Sequence, residues 1–103
     1  MLEFVIKWFD RKYFIWRAQK HCDYGEINES IFWFEKTLEI CNGKYERARI
    51  QTDLSLLHYR NKDYRIALRY ADEALKFKNI EKYPKLIATK VRKISKRKLE
   101  NLF

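Results

Sequence analysis

Proline occurs once and glycine twice in 103 residues, at Pro84, Gly25 and Gly43. A sandwich or barrel needs frequent turns, so this scarcity argues for few, long elements and an all-helical chain. Cysteine is equally sparse. Cys22 and Cys41 form no C-x-x-C pair and are too few for a disulfide framework, so buried thiols in a reducing cytoplasm are expected. No apolar run approaches the roughly 18 residues needed to span a bilayer. The apolar start, Met1 to Phe9, is broken by Glu3 and Lys7 and lacks a small-residue cleavage site, so no export signal is expected. Nor is there a glycine-rich phosphate loop, or a Ser or Cys with a base and an orienting acid nearby in sequence. The expectation is a protein that is not an enzyme and carries no cofactor.

Acidic residues are outnumbered, 14 Asp and Glu against 23 Lys and Arg, giving a formal charge of +9. That charge favours anionic partners: nucleic acid, an acidic protein segment or a membrane surface. Hydrophobic residues make up 47% and aromatics 17%, enough for one domain to close a core.

Helical spacing of apolar residues recurs along the whole chain. Leu2, Val5, Ile6 and Phe9 open either a short helix of their own or the first turns of a longer one reaching Cys22, and the pattern breaks around Gly25. A second helix follows, with Asn28 as its N-cap and Ile27, Ile31, Phe34 and Leu38 as its buried stripe. Asn42-Gly43 supplies a left-handed stop. The third helix runs from about Lys44 to Arg60 with Ile50, Leu54, Leu57 and His58 inward. Asp63 caps a fourth, fading after Phe77, on which Ala67, Ala71 and Ala74 share one face and admit a close neighbour. Pro84 fits the first turn of a fifth, which carries Ile87, Val91, Ile94 and Leu99 inward.

These pieces repeat. His21 and His58 are 37 residues apart, and the same offset relates Ile27 to Tyr64, Ser30 to Ala67, Ile31 to Leu68, Trp33 to Tyr70 and Leu38 to Leu75. It continues from Ile50 to Ile87, Thr52 to Thr89, Leu54 to Val91 and Leu57 to Ile94. Such a period marks stacked helix–turn–helix units.

Ala67, Ala71, Ala74 and Leu75, with Ser30, Phe34, Thr37 and Leu38 in the first unit, resemble the second-helix pattern of the tetratricopeptide repeats. Gly25 and Ile27, and again Lys62 and Tyr64, resemble its inter-helix turn. The period here is longer than the usual 34. The family's first-helix Trp, Leu-Gly and Tyr are replaced, in the second unit, by Gln51, Leu54, Ser55 and His58, and Arg17 stands where Leu54 and Val91 lie. The resemblance implies an all-α fold, a short α-solenoid of antiparallel helix pairs in one domain. Residues 1–10 form an apolar helical segment, 11–43 and 44–80 two repeat units, and 81–103 a basic capping helix.

It also implies a protein–protein interaction module that binds a protein or peptide segment in a concave groove lined by the first helix of each unit. Carried over by the offset, that surface comprises Lys12, Ile15, Gln19, Arg49, Thr52, Asp53, Leu56, Thr89, Lys90 and Lys93. At the positions where some family members clamp a peptide carboxylate stand Ile15, Gln19, Asp53, Leu86 and Lys90. Only Lys90 and, loosely, Gln19 agree, so an acidic or amphipathic segment is the expected ligand rather than a carboxylate terminus.

Two alternatives come from the residues themselves. Lys85, Arg92, Lys93, Lys96, Arg97 and Lys98 make the last helix a candidate anion-binding face for RNA, DNA or acidic lipid, against the simpler role of solvating the array. Phe32, Trp33 and Phe34 are consecutive and cannot all face one side of a helix. With Trp8, Tyr13, Phe14 and Trp16 they leave room for a homodimer through the aromatic N-terminal half. His21, Cys22, Asp23, Cys41 and His58 make no metal site on this reading, because adjacent helical residues point about 100° apart.

Overall fold

The computed structural model describes residues 2–101, with side chains from Phe9 onward. The spacing of Leu2, Val5 and Ile6, and the aromatic Trp8, fall outside the described side chains. Five helices follow one another: α1 (Leu2–Asp23), α2 (Ile27–Ile40), α3 (Lys44–Arg60), α4 (Tyr64–Leu75) and α5 (Lys82–Glu100). Among the described residues there is no strand. The first helix, α1, runs through residue 10 without interruption.

The helices pack in order, α1 on α2, α2 on α3, α3 on α4 and α4 on α5, and α3 also packs on α5. Among the described residues α1 and α3 do not pack backbone against backbone. The result is elongated, 52 × 31 × 20 Å. One apolar cluster joins α1, α2 and α3 through Ala18, Ile31, Phe34, Ile50, Leu54 and Leu57. A second joins α4 and α5 through Ala67, Ala71, Ala74, Ala88 and Val91, with Leu56 and Tyr59 of α3 against it. Burying a side chain such as Leu54 completely contributes about 1.5–3 kcal/mol.

The 37-residue offset has a structural counterpart in the two turns within the hairpins. Gly25 (φ 75°) and Lys62 (φ 62°) both adopt the left-handed conformation. The next residue's N–H then reaches back to a histidine carbonyl: Glu26 to His21 at 2.8 Å and Asp63 to His58 at 2.9 Å. Gly25 N–H bonds the Cys22 carbonyl and Lys62 N–H the Tyr59 carbonyl, at 3.1 and 3.0 Å. This is the Schellman closure, which satisfies carbonyls that a helix end leaves unpaired. Asn61 of the second turn donates its side-chain amide to Asn28 of α2 (3.0 Å), linking the two turns.

Three local expectations are corrected. The N-cap of α2 is Glu26, because the left-handed Gly25 delivers the chain directly into helix, and Asn28 lies in the first turn. Asn42-Gly43 is no left-handed stop. Cys41 and Gly43 are extended (ψ 125° and 132°), and Gly43 instead starts α3 as its N-cap. Finally, α4 ends at Leu75, where Lys76 and Phe77 N–H groups turn back to the Glu73 and Ala74 carbonyls.

Candidate functional site

A cleft of about 360 Å³ opens between α1 and α3. Arg11, Lys12 and Ile15 form one wall, Tyr45, Glu46, Arg49, Ile50 and Asp53 the other, and Phe34 of α2 completes the lining. It exists because α1 is carried on α2 and stands off α3. Arg11 Nε reaches Glu46 Oε1 across it at 3.1 Å. Phe34, Ile50 and Ile15 give the cleft apolar surface, while Arg11, Lys12 and Arg49 oppose only Glu46 and Asp53.

Asp53 has an altered acidity. Crowding by protein around its carboxyl raises the pKa from 3.8 to about 6, and Arg49 acts in the opposite direction. Near neutrality the group is charged but easily protonated, so the cleft becomes more positive on mild acidification.

Lys12, Ile15, Arg49 and Asp53 are therefore brought together in one cleft. The remaining expected groove residues go elsewhere. Thr52 is buried and its hydroxyl donates to the Ala48 carbonyl (2.9 Å), which removes it from any contact surface. Leu56 is half-buried against the alanine cluster. Gln19 is exposed beyond the end of the cleft, donating to Asp23 Oδ1 at 3.0 Å. Thr89, Lys90 and Lys93 are exposed on α5, and the Thr89 hydroxyl donates to the Lys85 carbonyl. Close packing of α3 on α5 confines the cleft to the α1–α3 side.

Sequence reasoning missed Arg11, Phe34, Tyr45, Glu46 and Ile50 as lining residues. The offset carried no signal for the first and fourth, since it relates Arg11 to Ala48 and Glu46 to Tyr83. Phe34 and Ile50 were assigned to the core, and they are buried while touching the cleft floor.

Lys85, Arg92, Lys93, Lys96, Arg97 and Lys98 are all exposed on α5. On a helix of 3.6 residues per turn Lys85, Arg92, Lys93, Lys96 and Arg97 share one exposed face, opposite buried Ala88, Val91 and Ser95, and only Lys98 points away from it. Arg92 alone of them lines a second, shallower cleft of about 630 Å³ with Arg65, Leu68, Arg69, Asp72, Glu73, Leu75 and Lys76. There it pairs with Asp72 at 3.0 Å, and Lys76 pairs with Glu73 at 2.8 Å.

The two histidines sit at equivalent turns. His58 is buried, stacks on Tyr70 at 5.6 Å and lies 3.9 Å from Glu35 and 4.0 Å from Asp63. Burial lowers its pKa, with Asp63 and Glu35 working against that shift. His21 Nδ1 is 3.3 Å from Glu26. Among the described residues no three His, Cys, Asp or Glu side chains gather as a metal site, and no helix is long and apolar enough to cross a membrane.

No family model, curated protein or solved structure matches this chain.

Proposed function

We propose that this chain is a non-catalytic interaction module, a short α-solenoid of the tetratricopeptide type that binds an acidic, amphipathic protein segment between α1 and α3. The observation that carries the reading is the cleft itself, where apolar Ile15, Phe34 and Ile50 lie beside Arg11, Lys12 and Arg49. A segment with apolar residues on one face and carboxylates flanking them would bury the former and meet the latter, with charge setting its orientation. The duplicated left-handed turns and their histidine-carbonyl closures support the repeat assignment. A cytoplasmic location fits this role.

The test is selection of peptides from a random display library, followed by anisotropy titration of the winners. Acidic amphipathic sequences should be enriched. Lys12→Glu with Arg49→Glu, both exposed positions, should weaken them at least tenfold while circular dichroism stays unchanged. Winners without acidic residues, or winners indifferent to the double variant, would place the binding surface elsewhere.

A second reading, nucleic-acid association, is favoured by the cleft between α4 and α5. Its two acids are already held by Arg92 and Lys76, which leaves Arg65 at the opening, while Arg69 lines it with its guanidinium 5.6 Å from the Tyr70 ring centre. Here Arg65→Glu with Arg69→Glu should abolish binding of a labelled oligonucleotide, and affinity should fall steeply with salt.

A further inference from the structure

Between Glu81 and Glu100, helix α5 carries eight Lys and Arg and no acid. From Lys90 to Lys98 every exposed residue is one of these cations, while Val91 and Ser95 are buried and Ile94 is half-buried. Lys85, Lys93, Lys96 and Arg97 look away from α3 and α4, and among the described residues none of the four is held in an ion pair. Acids on the helices packed against α5 are answered where they stand. Asp72 is held by Arg92 at 3.0 Å and Glu73 by Lys76 at 2.8 Å, and Arg49 lies beside Asp53. The large apolar side chains that α5 exposes, Tyr83 and Leu86, stand in its first turns, before this run begins.

We propose that this face binds the phosphate backbone of duplex nucleic acid without regard to sequence. The inference rests on the second reading above and gives it a ligand and a surface. What the face holds and what it lacks both select this occupant. A second copy set face to face would bring unpaired cations against their own equivalents. Protein segments draw most of their affinity from apolar anchors, and no apolar side chain is exposed from Lys90 to Lys98. A lipid surface takes a helix whose apolar side is free, whereas α5 buries Ala88 and Val91 in the α4 cluster. Single strands need rings to stack on, and the exposed ring of α5, Tyr83, lies roughly 10 Å along the axis from Lys90. A duplex requires neither ring nor anchor. It presents closely spaced phosphates, which free Lys and Arg neutralise with release of counterions.

The full chain is titrated by anisotropy against labelled DNA duplexes of about 20 base pairs in two unrelated sequences, over a range of salt. Both should bind alike, with a log–log salt slope of roughly −3 to −4, as four neutralised phosphates require. The single strand should bind at least about tenfold more weakly. Lys93→Gln with Lys96→Gln, both exposed, should make the slope shallower by about 2 with circular dichroism unchanged. Lys20→Gln with Lys44→Gln removes the same charge from exposed sites on α1 and α3 and should leave the slope alone. An RNA duplex of the same sequence tells which kind of duplex is preferred. A slope indifferent to the α5 pair, equal loss from the α1 and α3 pair, or selectivity for one sequence would overturn the proposal. So would equal or tighter binding of the single strand, of polyglutamate or of phosphatidylserine vesicles, or self-association that the α5 pair abolishes. If Arg65→Glu with Arg69→Glu abolishes binding while the α5 pair is silent, the α4–α5 cleft reading survives and this inference falls. If no nucleic acid binds, both fall.

Discussion

The two hairpins share a turn and differ in what fills the space between their helices. In the second, Ala67, Ala71 and Ala74 of α4 are fully buried, with Leu56 and Tyr59 of α3 packed on their cluster and Ala88 and Val91 of α5 closing it beyond the hairpin. At the equivalent positions of the first stand Ser30, Phe34 and Thr37, also buried. Methyl groups let neighbouring backbones approach closely, whereas a ring must be given room. Hydroxyls in the first hairpin need partners: Ser30 donates to the Ala18 carbonyl of α1 at 2.8 Å, and Thr37 to the Trp33 carbonyl of its own helix at 2.8 Å. Arg17, at the position of the fully buried Leu54, leaves its Nε buried without a partner and lays its guanidinium over Trp33. One backbone plan thus accommodates a dry alanine seam and a mixed aromatic-polar seam.

The sharpest way to break this comparison is to exchange the fillers. Phe34→Ala should cost about 3–5 kcal/mol in urea unfolding, by leaving a cavity. Ala71→Leu, at the equivalent position, should cost about 1–3 kcal/mol for the opposite reason, overpacking. If both changes are silent, the seams are not the source of stability. Next comes Arg17→Leu, which copies the second hairpin into the first. Removing a buried unpaired donor should gain about 1 kcal/mol, after subtracting the lost ring contact.

The turns offer a smaller, paired effect. A Cβ at Gly25 would meet nothing within 4 Å, so Gly25→Ala tests backbone conformation alone and should cost about 1 kcal/mol. Lys62→Gly should gain about 0.5 kcal/mol, because relief of the left-handed strain exceeds the added freedom of the unfolded chain. The last effect is pH-dependent, and because Asp53 is solvent-exposed, screening leaves it well below what the shift alone would imply. Folded Asp53 keeps its proton to about pH 6, against 3.8 for the ordinary group. Its contribution to stability is therefore complete below about pH 3.8 and is lost as pH rises through about 6. Asp53→Asn should remove that decline from the urea midpoint and match the parent protein in acid.

Much of the helical layout was legible in the sequence because it depends on local chemistry. Gly25, Asn61-Lys62-Asp63 and Pro84 interrupt the apolar spacing where α1, α3 and the α4–α5 connection end. Finer points were not legible, because they depend on the turn actually formed. Asn28 is a good capping residue, yet the Schellman closure at Gly25 assigns that position to Glu26. Within the cleft, Lys12, Ile15, Arg49 and Asp53 are named by the groove that the repeat resemblance implies. Thr52, named with them, is not there, since a threonine that donates to the carbonyl four residues back can be buried without an unpaired hydroxyl. Arg11 and Glu46 meet only because α1 and α3 lie at a particular height relative to each other, a relation no local pattern encodes.

That pair has a mechanical consequence. The walls of the α1–α3 cleft are bridged by α2: α1 packs on α2, and α2 packs on α3 and joins it through the short link at Cys41, Asn42 and Gly43. The Arg11–Glu46 bridge is a latch across the cleft close to that link, and a partly exposed bridge of this kind holds with no more than about 1 kcal/mol. Thermal motion releases such a latch readily, and salt weakens it further. The spacing of the cleft walls is therefore set less by this bridge than by the apolar cluster that α1, α2 and α3 share.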